Sequence, residues 1–216
     1  MRAVFATLVF AVLVSASPGG QSATVPSPAD LAKRLQAHYN GVRDFKADFT
    51  SDYREGVILP KTSERGTVLV KKPGRMRWTY SAPDKKELVA DGLRIYTYLV
   101  ADRQVYVNPI PSGDDAPTAL LFLMGKGDLL RDFTPSLAPQ QPDGEWQLAL
   151  TPKGPQVDFT SLTLMVDRPS LALRGFVTVD SQGGTSTFRF LHLQENVGLL
   201  DKQFDFSMPK GVEVIR

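Results

Sequence analysis

From Asp44 onward apolar and polar residues alternate, and this alternation limits the fold more than any other feature of the chain. The run DFKADFTSDYR sets Phe45, Ala47, Phe49 and Tyr53 on one side of an extended backbone. A period of two marks a strand with one apolar and one polar face. RGTVLVKK follows. After the Pro73-Gly74 turn comes RMRWTY, where Met76, Trp78 and Tyr80 alternate with Arg75, Arg77 and Thr79. KELVADG and RIYTYLV flank Asp91-Gly92, a hairpin signal, and RQVYVNPI completes the series. Short strands joined by tight turns read as an antiparallel meander.

Before the meander, SPADLAKRLQAHYNGV has helical spacing. Ser27 suits the N-cap, Pro28 the first helical position, and Asp30 the positive helix start. Leu31, Leu35 and Tyr39 line one face, Val42 follows, and Gly41 is expected to end the helix. After the meander, PSGDDAPTALLFLMGKGDLLRDF interrupts the strands. Thr118 to Met124 reads as a short apolar helix fenced by turn residues, with GKG at 125–127 as its stop. Strands resume at EWQLALTP, DFTSLTLMVD, LALRGFVTVD and STFRFLHL, and one more short strand is expected around Phe204 and Phe206.

Residues 1–23 stand apart. One cation, Arg2, precedes an apolar run to about Val14 and then small residues, the pattern of a secretory signal peptide cleaved somewhere within 16–23. The run is short for a membrane span. Residues 24–216 read as one domain. The chain carries 25 Lys plus Arg against 23 Asp plus Glu. Loss of residues 1–23 removes Arg2 alone, leaving 24 against 23, so bulk charge gives no reason to expect a nucleic-acid partner. With no cysteine, thiol catalysis, Cys-based metal sites and bacterial lipidation at a lipobox cysteine are excluded.

Chemistry is hard to place. His38 and His192 are the two histidines, and neither lies in a recognised catalytic context. No nucleophile elbow, H-E-x-x-H, phosphate loop or calcium loop is present. Asp114-Asp115 lacks the rest of a ligand set. The expectation is a binding protein with no cofactor and no catalytic residue. A single long sheet must cover one of its two faces. Two short helices need not fill the concave side, and the remainder would be an apolar cavity.

The segments GTVLVKKPGRMRWTYSAP, KELVADGLRIYTY, PTALLFLMG and FDFSMPKGVEVI, with the opening FKADFTSDYR, resemble the LolA family of periplasmic lipoprotein carriers. The turn of VTVDSQGGTSTFRF fits more loosely, and together these pieces span nearly the whole of 24–216 in the family's order. The resemblance implies a mainly β (α+β) fold: a curved antiparallel half-barrel, with an N-terminal helix and a short inserted helix forming a lid over an apolar cavity. It implies a monomeric, non-enzymatic periplasmic chaperone that binds the acyl chains of lipoproteins. Such carriers take cargo from the inner-membrane LolCDE-type ABC transporter and pass it to an outer-membrane LolB-type receptor. A carrier of one specific lipid or glycolipid, or a protein-binding sensor on the same fold, are alternatives.

On this reading Phe45, Phe49, Val68, Val70, Met76, Trp78, Leu88, Ile95 and Phe188 face the acyl chains or the core that supports them. Register decides between the two roles at each position, and both stay open here. Leu120, Leu121 and Leu123 would belong to the lid. The family commonly has arginine just before the proline of the strand turn, where it holds the lid shut. This chain has Lys72, a point charge in place of a planar fork of donors.

Overall fold

Ser27 starts the first described element as expected: its hydroxyl accepts from the Asp30 amide at 3.1 Å and caps helix α1, Pro28–Gly41. The computed structural model describes residues 25–55, 61–110, 122–123, 125, 127–154 and 159–216. Leu31, Ala32, Leu35 and Tyr39 form the buried stripe of α1. Gly41 is the last helical residue but does not take the left-handed conformation. Val42 instead turns the chain out in an extended form and is itself buried.

The strands are β1 (Asp44–Arg54), β2 (Thr62–Lys71), β3 (Arg75–Ala82), β4 (Lys86–Asp91), β5 (Arg94–Leu99), β6 (Gln104–Pro109), β7 (Phe133–Leu137), β8 (Glu145–Pro152), β9 (Ser161–Asp167), β10 (Leu173–Val179), β11 (Thr185–Glu195) and β12 (Glu213–Ile215). They form one open, curved sheet in the order β12-β6-β5-β4-β3-β2-β1-β11-β10-β9-β8-β7. Two meanders, β1 to β6 and β7 to β11, are thus sewn together by β1 against β11. Every neighbouring pair is antiparallel except β12 with β6. Gly74, Gly92 and Gly183 take positive φ in the turns where the sequence required them.

One stretch to which the sequence pattern assigns no element carries structure, and one expectation is corrected. The segment after the apolar insertion carries two elements of its own. A one-turn helix, Leu129–Asp132, leads into β7, whose Pro135 breaks the strand signal. Proline is tolerated there because β7 is the edge strand. At the other end, Phe204 and Phe206 are not in a strand. Asp201–Phe204 is a 3-10 turn, and the last strand comes later, at Glu213–Ile215. The reason is competition for carbonyls. The Arg77 guanidinium donates to Gln203 O at 2.8 Å and Asp205 O at 2.7 Å, and Lys71 donates to Leu199 O at 2.7 Å. Side chains of β2 and β3 therefore take the bonds that a ladder would have used.

This tail is a strap across the outer face of the sheet. Phe204 is fully buried, and Phe206 stacks on Tyr96 with ring centroids 4.8 Å apart. Asp201 pairs with both Lys71 (2.6 Å) and Arg75 (3.0 Å). Arg75 and Arg77 do point outward, as the alternation required, but they grip the strap.

Candidate functional site

The inner face is continuous and apolar over most of its area. The β1 burial pattern alternates from Phe45 to Ser51, and cross-strand register carries that face into the neighbours. Phe45 lies opposite Val70, which lies opposite Met76, then Ala90, then Ile95. The next row is Ala47, Val68, Trp78 and Leu88. Phe45, Phe49, Val68, Val70, Met76 and Trp78 are all buried, while Leu88, Ile95 and Phe188 are half-buried and packed against them. The structure thus brings these nine residues onto one face. Leu120 and Leu121 lie outside the described residues, as do Asp114 and Asp115.

An aromatic cluster forms the middle of the face. Phe49 meets Trp78 and Tyr80 edge-on, each at 4.9 Å between centroids, and Trp78 meets Phe188 edge-on at 5.6 Å. Phe188 stacks on Phe176 at 4.7 Å. These are favourable aromatic geometries. Gly66 makes room for Phe49: a Cβ there would stand 2.9 Å from the ring and 2.0 Å from Thr79 O.

Phe176, Phe190 and Leu193 also belong to this face, and simple alternation conceals two of them. Gly175 lies at a register shift in β10, so Leu173 and Phe176, three apart, share a face. His192, with φ 53, sits at the matching irregularity between β11 and β1 and returns Leu193 inward. Phe190 is two residues beyond Phe188 and was legible by the same alternation.

The cover over one end of the face is built from α1, the one-turn helix and the helical residues Phe122 and Leu123. Phe122 and Leu123 are buried, Phe122 stacks on Tyr39 at 4.5 Å, and the Tyr39 hydroxyl donates to Leu123 O at 2.8 Å. Burial and the nearby Glu195 carboxylate hold the Tyr39 phenol far above its ordinary range. The amide of Leu129 donates to Gln36 Oε1 at 2.9 Å.

Lys72 reaches this cover. Its ammonium donates to Tyr39 O, at the end of α1, and stands 4.2 Å from the centroid of the Tyr39 ring. Its aliphatic stem passes under Gly125. Burial lowers the Lys72 pKa, and the Glu195 carboxylate opposes that shift. Glu195 also pairs with His38 at 3.1 Å. His192 pairs with Asp48 at 2.8 Å on the exposed side of the sheet.

Toward the other end the inner face turns polar. Ser51 lies opposite Glu64, and Tyr80 lies opposite Lys86. Lys86 Nζ is 2.6 Å from Glu64 Oε1, and the Ser51 hydroxyl donates to Glu64 Oε2 at 3.4 Å. Lys86 Nζ sits 4.2 Å from the Tyr80 ring centroid. Burial, with the Glu64 charge, pushes the Tyr80 phenol up to about 12.

Among the described residues, no three His, Asp or Glu side chains are grouped to hold a metal ion, and no helix is long and apolar enough to cross a membrane.

Comparison with known proteins follows the same lines. The profile of the family "Outer membrane lipoprotein carrier protein LolA" matches residues 40–207. An outer-membrane lipoprotein carrier protein of Chromohalobacter salexigens is 30% identical over 99% of this chain and 95% of its own. One from Cupriavidus taiwanensis is 30% identical over 95% of this chain and 98% of its own. The fold is also that of an uncharacterized conserved protein from Thermus thermophilus, at 16% identity and a TM-score of 0.54, covering 87% of this chain and 98% of that one. With a family match across most of its length and relatives alike nearly end to end, the chain belongs to the LolA family of outer-membrane lipoprotein carrier proteins.

Proposed function

We propose that this protein carries lipoproteins between membranes by sheltering their acyl chains against the inner face of the sheet. The observation that carries the reading is the continuous apolar face from Phe45 to Ile95 and on to Phe188 and Phe176, with a separate cover pinned at one end. Leu88, Ile95, Phe188 and Phe176 meet the acyl chains first. Phe45, Phe49, Val68, Val70, Met76 and Trp78 are the floor on which those residues rest, and Trp78 becomes a contact only when the cover lifts. Leu123, with Leu120 and Leu121 beside it in the chain, belongs to the cover, and Lys72 is its latch.

Each acyl CH₂ removed from water contributes roughly 0.8 kcal/mol, so parts of several chains supply more than about 10 kcal/mol. Displacing a cover that is itself well packed offsets part of that gain, which keeps cargo transferable. Residues 1–23 direct export and are removed, and residues 24–216 work in the periplasm. The donor is a LolCDE-type transporter at the inner membrane and the acceptor a LolB-type receptor at the outer membrane.

A fluorescent apolar probe bound to the purified protein tests the reading. Acylated lipoprotein should displace it and the same lipoprotein stripped of its acyl chains should not. Equal displacement by both overturns the proposal. Mass spectrometry of lipids and lipoproteins that purify with the protein from the periplasm separates a general carrier from one dedicated to a single lipid.

A further inference from the structure

The polar end of the inner face is not explained by folding. Tyr80 and Lys86 project from the same face as Trp78 and Leu88, one inward-facing position further along the strands, and Ser51 and Glu64 lie one inward-facing position beyond Phe49 and Gly66 on the neighbouring strands. Two residues of strand place Tyr80 and Lys86 roughly 7 Å beyond the Trp78 row. An ion pair on an otherwise apolar face gives little net stability, because desolvating both charges offsets their attraction, and well-packed apolar residues commonly do as well. Yet the Lys86 and Glu64 side chains are only partly covered, with 30% and 24% of their surface exposed. They remain reachable by a molecule lying along the face.

We propose that Ser51, Glu64, Tyr80 and Lys86 form a seat for the polar linkage of an acylated cargo, the amide and ester groups that join acyl chains to a polypeptide. This rests on the carrier reading above and adds a site to it. The chemistry matches group by group. The Lys86 ammonium donates to an ester or amide carbonyl, the Glu64 carboxylate accepts from an amide N–H, and the Tyr80 and Ser51 hydroxyls can do either. The charges of Glu64 and Lys86 cancel, which suits a neutral linkage. A phosphate placed on Lys86 would meet the Glu64 carboxylate 2.6 Å from that ammonium, so a phospholipid headgroup is disfavoured. The aromatic cluster next to the seat would then hold the first methylenes of the chains, and the rows toward Ile95 the remainder.

The test compares three ligands as competitors of a fluorescent fatty acid on the full purified protein: a synthetic triacylated lipopeptide, palmitate and phosphatidylglycerol. In Lys86→Met and Glu64→Gln the lipopeptide should bind about tenfold more weakly, the loss of one charge-assisted hydrogen bond, while palmitate, which has no amide or ester linkage, shows no such loss. Tyr80→Phe keeps the ring, guards against a folding artefact, and should lose about threefold for the lipopeptide alone. Thermal unfolding midpoints show that each variant is folded. Equal losses for lipopeptide and palmitate, no loss in any of the three variants, or tighter binding of phosphatidylglycerol than of lipopeptide overturns the seat. Failure of the unmutated protein to bind the fluorescent fatty acid at all overturns the carrier reading itself, and the seat with it.

Discussion

The stem of Lys72 fills the space that Gly125 leaves vacant: a Cβ built on Gly125 would stand 2.3 Å from the lysine Cδ and 2.8 Å from its Cγ. The residue before the strand turn and the residue after the apolar insertion thus interlock. Gly125 also takes φ +75, which a side chain disfavours. Gly125→Ala should therefore expel the lysine stem and cost about 1–3 kcal/mol. Hydrogen exchange should show faster opening of the Phe122 and Leu123 amides, with the β1–β2 amides unchanged. Slow exchange at Phe122 and Leu123 in the variant would show that the interlock does not hold the cover.

Lys72→Leu removes the donor to Tyr39 O and the cation above the Tyr39 ring. A loss of about 1 kcal/mol is expected, again with faster exchange at Phe122 and Leu123. Lys72→Arg, with a planar fork of donors, should slow that exchange. The latch also has a pH signature. Burial lowers the Lys72 pKa below the ordinary 10.5, so between the two values the unfolded chain holds more protons than the native one. Stability then rises with pH across that window. The rise is shallow because the side chain is partly solvated, and it should be missing from the stability curve of Lys72→Leu. A flat curve in the unmutated protein contradicts it.

Two glycines should answer oppositely to alanine. Gly66→Ala drives a Cβ to 2.0 Å from Thr79 O and 2.9 Å from the Phe49 ring, so β2 and β3 must part or Phe49 must move. The aromatic cluster loses its register, and a destabilisation of about 3 kcal/mol or more is expected by denaturant titration. Gly41→Ala meets nothing within 4 Å at the last position of α1. It should stabilise the protein by about 0.5 kcal/mol through helix propensity and the unfolded state.

The strap should loosen in acid. The Asp201 pKa lies below the usual carboxylate value, through its hydrogen bond to Lys71 and the charges of Arg75 and Lys71, against a smaller opposing effect of burial. Its contribution is present above the unfolded-state value of 3.8 and is lost as pH falls through the lowered native value. Amide exchange over 201–206 should accelerate below pH 3.8 while exchange in β9 and β10 holds. In Asp201→Asn the same segment should exchange faster at neutral pH and lose its acid dependence. An unchanged acid dependence in that variant would rule Asp201 out as the pin.

The strands with unbroken alternation were legible from local pattern alone. Phe45, Phe49, Val68, Val70, Met76, Trp78, Leu88 and Ile95 fell on the face that the period of two assigned them. What escaped depended on distant partners. Phe176 reads as facing away unless the bulge at Gly175 is known, and a bulge arises between two strands. β7 hides behind Pro135, which only an edge position excuses. The strap around Phe204 has strand composition, yet Arg77 and Lys71, far away in sequence, decide its hydrogen bonds. The Glu64–Lys86 pair was invisible for a related reason: neither residue is unusual alone, and only register places both on the inner face beside Tyr80.

The seam between β1 and β11 joins residues 44–54 to residues 185–195. A chain that emerges amino end first can complete the first meander early, yet one flank of β1 stays unpaired until β11 has arrived. Closing so distant a pair is slow, because the loop entropy is lost before the contacts are gained. Through that interval the strand bearing Phe45 and Phe49 presents an open apolar edge, the kind of surface on which strands of other molecules assemble. Destabilising β11 should therefore lower the yield of soluble protein more than an equal destabilisation of β4 or β5.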